Sequence, residues 1–299
     1  MSMTYPDAVE GVLRREGLDD PIFLGAGEDA WAFALSDTEA IRIFPHASKY
    51  FVSELVHLYD RLQGHSFSFQ CPRIHEVRVH EEIVYTIETR LPGRPMEEYC
   101  REVDGEARRR VLRNYLEALR EVGEVEIVDR DFGGLSISAV WPTAGTWKEF
   151  LRRGLETSCM QIGSGLTKEV PDSRRIVSRL EVLIEERMDW DRKSLVHGDA
   201  YPGNVLVDED GEVATILDFG RYSLVGDPRL DVAIAIELTE MAGDSTPGDT
   251  EYLRGLIEED PAAAAYRAWT AVVLASVYRG DSRIVRKCIR TLRETAGRL

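Results

Sequence analysis

The sequence has few cysteines and no long apolar run, and each shortage excludes a class of protein. No stretch approaches the roughly 18 consecutive apolar residues of a membrane span. The first residues carry Asp7 and Glu10 where a signal peptide needs a basic start and an apolar run. We therefore expect a soluble, cytoplasmic protein. The cysteines stand far apart and form no CxxC pair, which argues against a zinc or redox motif and predicts reduced thiols: Cys71, Cys100, Cys159 and Cys288.

Positive charge is also scarce, because 37 Lys and Arg stand against 53 Asp and Glu for a formal net charge of −16. A nucleic-acid-binding protein usually has the opposite balance. An acidic protein attracts cations, so a cationic small substrate is favoured, although acidity that only maintains solubility is an open alternative. We expect no nucleic-acid, membrane or obligate protein partner. Two basic clusters are interpreted as solvated helix faces, Arg108–Arg110 with Arg113, and Arg283, Arg286, Lys287, Arg290 and Arg293.

The first 90 residues predict a small β-rich lobe. Alternating apolar residues interrupted at GAGED and SDTE indicate three short strands between residues 21 and 44. RIHEVRV and IVYTIE indicate two more strands. Helices are predicted over residues 6–17 and 48–63. LPGRP, at residues 91–95, is a plausible boundary, so we divide the chain into lobes 1–90 and 91–299.

The second lobe is predicted to be mostly helical. Apolar faces recur at helical spacing around residues 111–122 and 176–184, and four further helices are expected at 228–242, 248–259, 261–279 and 281–298. NVLVD and VATILD, joined by DEDGE, predict a hairpin. The predicted fold class is therefore α+β, with a small β-rich lobe and a larger helical one.

The stretch HGDAYPGNV, residues 197–205, contains Asp199 and Asn204 in the spacing D-x-x-x-x-N, and Asp218 follows in a DFG triplet. Protein kinases use this arrangement for a loop Asp that accepts the substrate hydroxyl proton and for two Mg²⁺ ligands. Hard oxygen ligands suit an Mg²⁺ ion that bridges nucleotide phosphates. A turn that contains Asp and Asn by chance is the alternative.

The first lobe supplies candidate nucleotide-binding residues. Gly25 and Gly27 lie between two predicted strands, where backbone N–H groups could cover phosphates, although Ala30 replaces the third Gly of G-x-G-x-x-G. An ordinary hairpin turn is the alternative. Arg42 stands where kinases carry a Lys, and Glu54 on the next helix is its natural partner. A surface ion pair is the alternative for these two residues.

HGDAYPGNVLVDEDGEVATILDFGRYSLVGDPRLDVA resembles the aminoglycoside phosphotransferase family, which shares a bilobal fold with protein kinases. The resemblance covers the phosphate loop, the Arg42 strand, a hinge near Glu88 to Leu91, the catalytic loop and GDPxxD. A finer resemblance links GGLSISAVWPTAGTWKEFL, residues 133–151, to the hygromycin B phosphotransferases. A protein kinase fits less well, because no A-P-E and no room for a long activation loop follow Asp218.

The resemblance implies roles for single residues. It makes Asp199 the base or hydroxyl-orienting group, and Asn204 and Asp218 the Mg²⁺ ligands. It implies nucleotide contacts from Gly25, Gly27, Arg42, Glu54, Glu88 and Leu91. His197 is expected to brace the loop, and Asp231 to tie it down through backbone N–H groups.

The implied function is a kinase that transfers the γ-phosphoryl of ATP or GTP, with Mg²⁺, to a hydroxyl of an aminoglycoside-like antibiotic such as hygromycin B. Two alternatives stay open, a kinase of a metabolite hydroxyl (choline, homoserine or thio-sugar) and a catalytically inactive nucleotide-binding regulator. Most tryptophans are expected to pack rather than to stack on substrate. Acidic residues of the C-terminal helices are expected to mark the substrate region: Asp227, Glu237, Glu240, Asp244, Glu251, Glu258, Glu259 and Asp260.

Overall fold

The computed structural model describes residues 5–135, 141–163, 170, 172–241, 246–260 and 262–297. The chain forms two compact units. The first unit comprises Met1–Ser66 and Gln70–Pro92, and the second comprises Phe67–Phe69 and Gly93–Leu299. The division of the chain into lobes 1–90 and 91–299 stays a prediction about domains.

A five-stranded antiparallel sheet forms the centre of the first unit, in the order β1-β2-β3-β5-β4. Its strands are β1 (Phe23–Ala26), β2 (Trp31–Ala34), β3 (Glu39–Phe44), β4 (Ile74–His80) and β5 (Ile83–Thr89). Helix α1 spans Asp7–Arg15 and helix α2 spans Lys49–Gln63. The five strands and both helices predicted from the sequence are confirmed.

The helices of the first unit follow from apolar spacing. Val9, Val12 and Leu13 recur at i, i+3 and i+4 and bury one face of α1 against apolar residues of the sheet such as Ile41 and Ile43. At the start of α2, the Ser48 hydroxyl accepts a hydrogen bond from the Phe51 N–H at 3.1 Å. This bond satisfies one of the N–H groups that a helix N-terminus leaves unpaired.

Helices dominate the second unit. They are α3 (Met96–Glu102), α4 (Gly105–Val122), α5 (Trp147–Ile162), α6 (Ser173–Arg187), α7 (Arg229–Met241), α8 (Pro247–Gly255), α9 (Ala263–Val277) and α10 (Ser282–Ala296). The prediction that α8 continues to residue 259 is wrong, because the helix ends at Gly255 and turns follow. No described helix is long and apolar enough to cross a membrane.

Two small sheets of the second unit position its loops. The predicted hairpin is confirmed as β10 (Val205–Val207) paired with β11 (Val213–Ile216), and β10 also pairs with β6 (Arg94–Pro95). The other sheet has the order β8-β7-β12-β9, from Thr143–Ala144, Phe132–Gly134, Leu224–Gly226 and Ser194–Val196 respectively. The HGD loop therefore lies between the end of β9 and the start of β10.

The core of the second unit is built around Trp147 and Trp269, each only 1% exposed. Both indole N–H groups are bonded, from Trp147 to the Tyr266 hydroxyl at 2.8 Å and from Trp269 to the Leu151 carbonyl at 2.8 Å. Buried indoles need such partners, since an unpaired N–H is costly away from water. The prediction that these two tryptophans pack in the fold is confirmed.

Two basic residues interpreted as solvated are instead engaged by other parts of the second unit. Arg108 was expected on a solvated helix face, but it forms a two-bond pair with Asp249 at 2.7 and 2.6 Å. The prediction is wrong for Arg108, because this pairing holds α4 to α8 with both side chains largely shielded from water. Lys287, from the second basic cluster, donates to the Glu240 carbonyl.

Three of the acids predicted to mark the substrate region are also structural. Glu237 is 2% exposed and accepts from Arg267 at 2.7 Å, and Glu240 is paired with Arg254 at 2.5 Å. Asp227 is fully buried and bonded to Arg229. The prediction is wrong for these three acids, because buried carboxylates that are neutralised by paired guanidinium groups do not attract a cationic substrate. Asp244 lies outside the described residues.

Candidate active site

His197 braces the HGD loop from inside the second unit, as predicted. The Asp199 N–H donates to His197 Nδ1 at 3.2 Å, and Nε2 lies 2.7 Å from the Leu217 carbonyl. Because Nδ1 accepts, the ring proton belongs on Nε2, which then donates to Leu217. One imidazole thus joins the loop that carries Asp199 to the residue before Asp218.

Asp231 ties down the same loop, and this prediction is confirmed as well. Its two carboxylate oxygens accept from the His197 N–H at 2.9 Å and the Gly198 N–H at 3.0 Å. Burial raises the pKa of Asp231, and the two backbone hydrogen bonds oppose that shift. The carboxylate therefore acts as a fixed double acceptor that sets the path of the chain just before Asp199.

Gly198 and Ser223 bring the HGD loop close to the segment after Asp218. Gly198 has φ +79°, and a Cβ at this position would lie 2.1 Å from the Tyr222 carbonyl oxygen, so only glycine fits. The Ser223 hydroxyl donates to the His197 carbonyl at 3.1 Å and accepts from the Gly220 N–H at 3.0 Å. These contacts fix the DFG turn against the HGD loop.

Asn204 and Asp218 lie at the same open end of the β10–β11 hairpin, Asn204 just before β10 and Asp218 two residues after β11. The Asn204 side chain donates from Nδ2 to the Asp199 carbonyl at 2.9 Å, and the Asn204 carbonyl accepts from the Leu217 N–H at 2.8 Å. Asp218 has φ +62°, a left-handed conformation that is uncommon for a residue other than glycine. Such conformations cluster at functional sites, where surrounding contacts hold them in place.

The chemistry of these side chains fits Mg²⁺. With Nδ2 of Asn204 engaged, its Oδ1 is the amide atom that could ligate a metal, and Asp218 could add carboxylate oxygens. In the part of the chain that the structure describes, no group of three His, Cys, Asp or Glu side chains could hold a metal. Mg²⁺ commonly takes only one or two carboxylates and completes its shell with phosphates and water. The donor set therefore suits an ion that arrives with a nucleotide.

A cavity within the second unit opens beside Asp199. Its open volume is about 480 Å³, including solvent at the mouth. The described lining is mainly aromatic and aliphatic, and comprises Trp141, Gly198, Asp199, Tyr222, Ile234, Leu238, Trp269, Thr270, Val273, Leu274, Val277 and Tyr278. The cavity places an apolar surface next to the carboxylate predicted to orient a hydroxyl.

In the first unit, two predicted nucleotide-binding residues, Gly25 and Arg42, lie in the same row of paired residues across the sheet. Gly25 pairs with Ala32, Ala32 with Arg42, and Arg42 with Thr86 in successive antiparallel registers. The Gly27 N–H donates to the Ala30 carbonyl at 3.0 Å and closes the turn after β1. The sheet therefore places the predicted phosphate loop and Arg42 on neighbouring strands.

The other predicted residues of the first unit lie on or after the neighbouring elements. Arg42 donates to the Tyr59 hydroxyl of α2 at 2.9 Å, and Glu54 lies on the same helix. Glu88 is 7% exposed, and its carboxylate accepts from the Thr86 hydroxyl at 2.5 Å. Leu91 follows the end of β5. The Arg42–Glu54 pair and all nucleotide contacts stay predictions.

Sequence reasoning missed residues that hold the site from a distance. The buried Tyr115 of α4 was assigned only to a helix face, yet its hydroxyl donates to the Ala200 carbonyl in the HGD loop. Burial, with the nearby carboxylates of Asp231 and Asp199, raises the pKa of Tyr115 and keeps the hydroxyl protonated as a donor. Ser223 was overlooked too, since no residue pattern signals a hydroxyl that bridges two loops.

Solved structures of antibiotic phosphotransferases resemble the chain over nearly its whole length. The streptomycin–ATP ternary complex of APH(2″)-IIa matches with a TM-score of 0.59 at 16% identity, covering 98% of this chain and 97% of that one. The GDP and kanamycin complex of APH(2″)-IIIa gives 0.63 at 14% identity, covering 97% and 98%. Macrolide 2′-phosphotransferase MphH from Brachybacterium faecium gives 0.54 at 17% identity, covering 96% and 98%. These matches confirm the predicted kinase-like α+β fold.

Sequence comparison identifies the family. No curated protein sequence matches the chain significantly. Closeness to the hygromycin B phosphotransferases stays a prediction. The model of the phosphotransferase enzyme family matches residues 22–269, which include the sheet of the first unit, the HGD loop and helix α7. The chain therefore belongs to the phosphotransferase enzyme family.

Proposed function

We propose that the chain is a small-molecule kinase that transfers the γ-phosphoryl group of ATP or GTP to a hydroxyl. The observation that carries this proposal is the bracing of Asp199, whose backbone N–H and carbonyl are bonded to His197 and Asn204. A loop held so firmly next to an open cavity suits a carboxylate that must meet a substrate hydroxyl in one geometry.

In the proposed reaction, the acceptor oxygen attacks the γ-phosphorus. The bond from that phosphorus to the β–γ bridging oxygen breaks, and the nucleoside diphosphate leaves with the bond electrons. Asp199 orients the acceptor hydroxyl and takes its proton. Asn204 and Asp218 would hold Mg²⁺, which when bound neutralises charge on the phosphate oxygens. Most of the rate acceleration then comes from positioning and electrostatics.

The residues of the first unit have proposed nucleotide roles. Backbone N–H groups near Gly25 and Gly27 cover phosphates, and Arg42, supported by Glu54, binds a phosphate oxygen. The main chain from Glu88 to Leu91 contacts the base. Arg in place of Lys adds a planar, bidentate donor set and keeps its charge at all pH values of interest, so phosphate binding by Arg42 is chemically sound.

The sequence predicts an aminoglycoside-like acceptor such as hygromycin B, and the streptomycin and kanamycin complexes of similar structures support this class. The metabolite alcohols remain the alternative within the same reaction. The inactive regulator is less well supported, because Asp199, Asn204 and Asp218 are all present and braced. We retain the cytoplasm as the predicted compartment.

The test is mass spectrometry of candidate alcohols after incubation with the protein, Mg²⁺ and ATP or GTP. The panel includes hygromycin B, kanamycin, a macrolide, choline and homoserine, and Asp199→Asn is the matched control. We expect one compound to gain a phosphoryl group with the native protein, and turnover to fall by at least about 100-fold in the variant. Equal turnover by the native protein and Asp199→Asn would remove Asp199 from the mechanism.

A further inference from the structure

We propose that the acceptor is an alcohol on a mainly apolar scaffold, and that the Thr270 hydroxyl anchors it by one hydrogen bond. The inference rests on the proposed function, because it assigns the cavity beside Asp199 to the acceptor. It differs from the sequence-based expectation of a polycationic aminoglycoside. Two independent observations lead to it, the composition of the cavity wall and a buried hydroxyl with no partner.

The cavity wall is suited to hydrocarbon rather than to ammonium groups. Trp141 and Trp269 stack with ring centroids 6.0 Å apart, and Ile234 and Val273 add aliphatic surface. Among the described lining residues, Asp199 is the only one with a formal charge. A polycation that entered this wall would lose hydration of several ammonium groups without gaining carboxylate partners, which is costly.

Two of the acids that motivated a cationic substrate, Glu237 and Glu240, do not compensate for that loss. Glu237 is bonded to Arg267 and to the Thr291 hydroxyl, at 2.7 and 2.6 Å. Glu240 is paired with Arg254 and with Arg290. Each of these carboxylates is less than a tenth exposed. Their charge is therefore used within the helical core and is not presented to the cavity.

Thr270 supplies the second observation. It lines the cavity and is 1% exposed, yet its Oγ1 is buried with no hydrogen-bond partner in the described structure. Burying a hydroxyl without a partner costs free energy, and most buried polar groups are satisfied. The proposal assigns its missing partner to a ligand oxygen or nitrogen in the cavity that Thr270 lines. One polar anchor in an apolar wall is a common design of small-molecule sites.

The mouth of the cavity offers a place to test the apolar wall without disturbing the core. Val277, at the end of α9, lines the cavity and is 47% exposed. Val182 on α6 is 41% exposed and is not among the described lining residues. Val277→Glu and Val182→Glu therefore introduce the same charge at similar exposure, and only the first places it at the cavity.

The experiment compares erythromycin, as the apolar-bodied alcohol, with kanamycin, as the polycation. Phosphorylation is followed by mass spectrometry, and binding is followed separately by quenching of tryptophan fluorescence, since Trp141 and Trp269 line the cavity. We expect erythromycin to bind and to be phosphorylated. Val277→Glu should weaken its binding roughly tenfold, while Val182→Glu should leave binding unchanged.

Thr270→Val keeps the shape of the side chain and removes the hydroxyl. We expect the KM or Kd for erythromycin to rise about fivefold, the equivalent of one hydrogen bond, with no loss of melting temperature. Thr270→Ser should restore binding. A lowered melting temperature in Thr270→Val, with unchanged erythromycin binding, would show a structural hydroxyl and overturn the anchor.

The outcomes separate the two proposals. Phosphorylation of kanamycin without erythromycin binding overturns the apolar acceptor and leaves the kinase standing. If neither compound is phosphorylated, fluorescence still decides the acceptor. Erythromycin quenching that Val277→Glu weakens roughly tenfold supports the apolar site, and no quenching in the native protein overturns it. Absence of Mg²⁺-dependent nucleotide hydrolysis as well would count against the kinase alone.

Discussion

Ser223→Ala tests whether one hydroxyl joins the HGD loop to the DFG turn. The side chain is fully buried, donates to the His197 carbonyl at 3.1 Å and accepts from the Gly220 N–H at 3.0 Å. Removing it leaves one buried acceptor and one buried donor unpaired, and each costs about 1–3 kcal/mol. We expect a loss of about 2–6 kcal/mol in the free energy of unfolding. Because Asp218 stands at the start of this turn, turnover should fall by about 10- to 100-fold.

The assay is urea unfolding followed by tryptophan fluorescence, together with phosphoryl transfer to the acceptor identified by mass spectrometry. Ser276→Ala is the matched control, because Ser276 is 2% exposed and its hydroxyl donates only to Val273 in its own helix, at 2.8 Å. That bond is dispensable, so the control should lose less than about 1 kcal/mol. Equal losses in the two variants, with turnover unchanged in Ser223→Ala, would refute the bridging role.

Two further variants test the loop glycine and a buried ion pair. Gly198→Ala should lose more than about 2 kcal/mol of stability and most activity, because its Cβ would lie 2.1 Å from the Tyr222 carbonyl oxygen. Gly255→Ala is the control, because a Cβ at Gly255 meets nothing within 4 Å. Equal melting temperatures of the two variants would contradict the predicted steric clash. For Asp249, burial alone raises the pKa, but hydrogen bonds from Arg108 and the backbone hold it below its ordinary value. Its stabilisation is therefore present above the unfolded pKa and lost as pH falls through the folded one. In thermal unfolding at pH 7, Asp249→Asn should be less stable than the native protein, and the difference in melting temperature should shrink below about pH 4. A difference in melting temperature that does not depend on pH would contradict the ion pair.

Local patterns were sufficient to predict the sheet of the first unit and the β10–β11 hairpin. Alternating apolar residues and short turn motifs are local signals, so strands such as β3 could be placed within a residue or two. The end of α8 was not predictable in the same way. The Leu256 N–H is shared between the Tyr252 and Leu253 carbonyls, both at 3.2 Å, and the helix gives way to turns there. The spacing of apolar residues through Ile257 is still that of a helix, so it does not predict the end of α8.

Long-range pairing was beyond sequence reasoning. Arg108 pairs with Asp249, which is 141 residues away in the sequence, and Arg267 pairs with Glu237, which is 30 residues away. Helical spacing shows which side of a helix is polar, but it does not show whether that side faces water or another helix. Arg108 was therefore predicted on a solvated face, and Glu237 was predicted to belong to a substrate region. Only the packing of α4, α7, α8 and α9 reveals that these charges neutralise one another.

The cavity beside Asp199 could not be predicted from the sequence either. Trp269 was predicted to pack in the core rather than to contact substrate. It does pack in the core, but it also lines the cavity. A cavity wall and a core are made of the same apolar residues, so periodicity cannot distinguish them. What sets this wall apart is the open space beside Asp199 together with the unpartnered Thr270 Oγ1. Because a buried hydroxyl without a partner costs free energy, Thr270→Val should not lower the melting temperature, and a loss of erythromycin binding in this variant would assign the hydroxyl to the ligand.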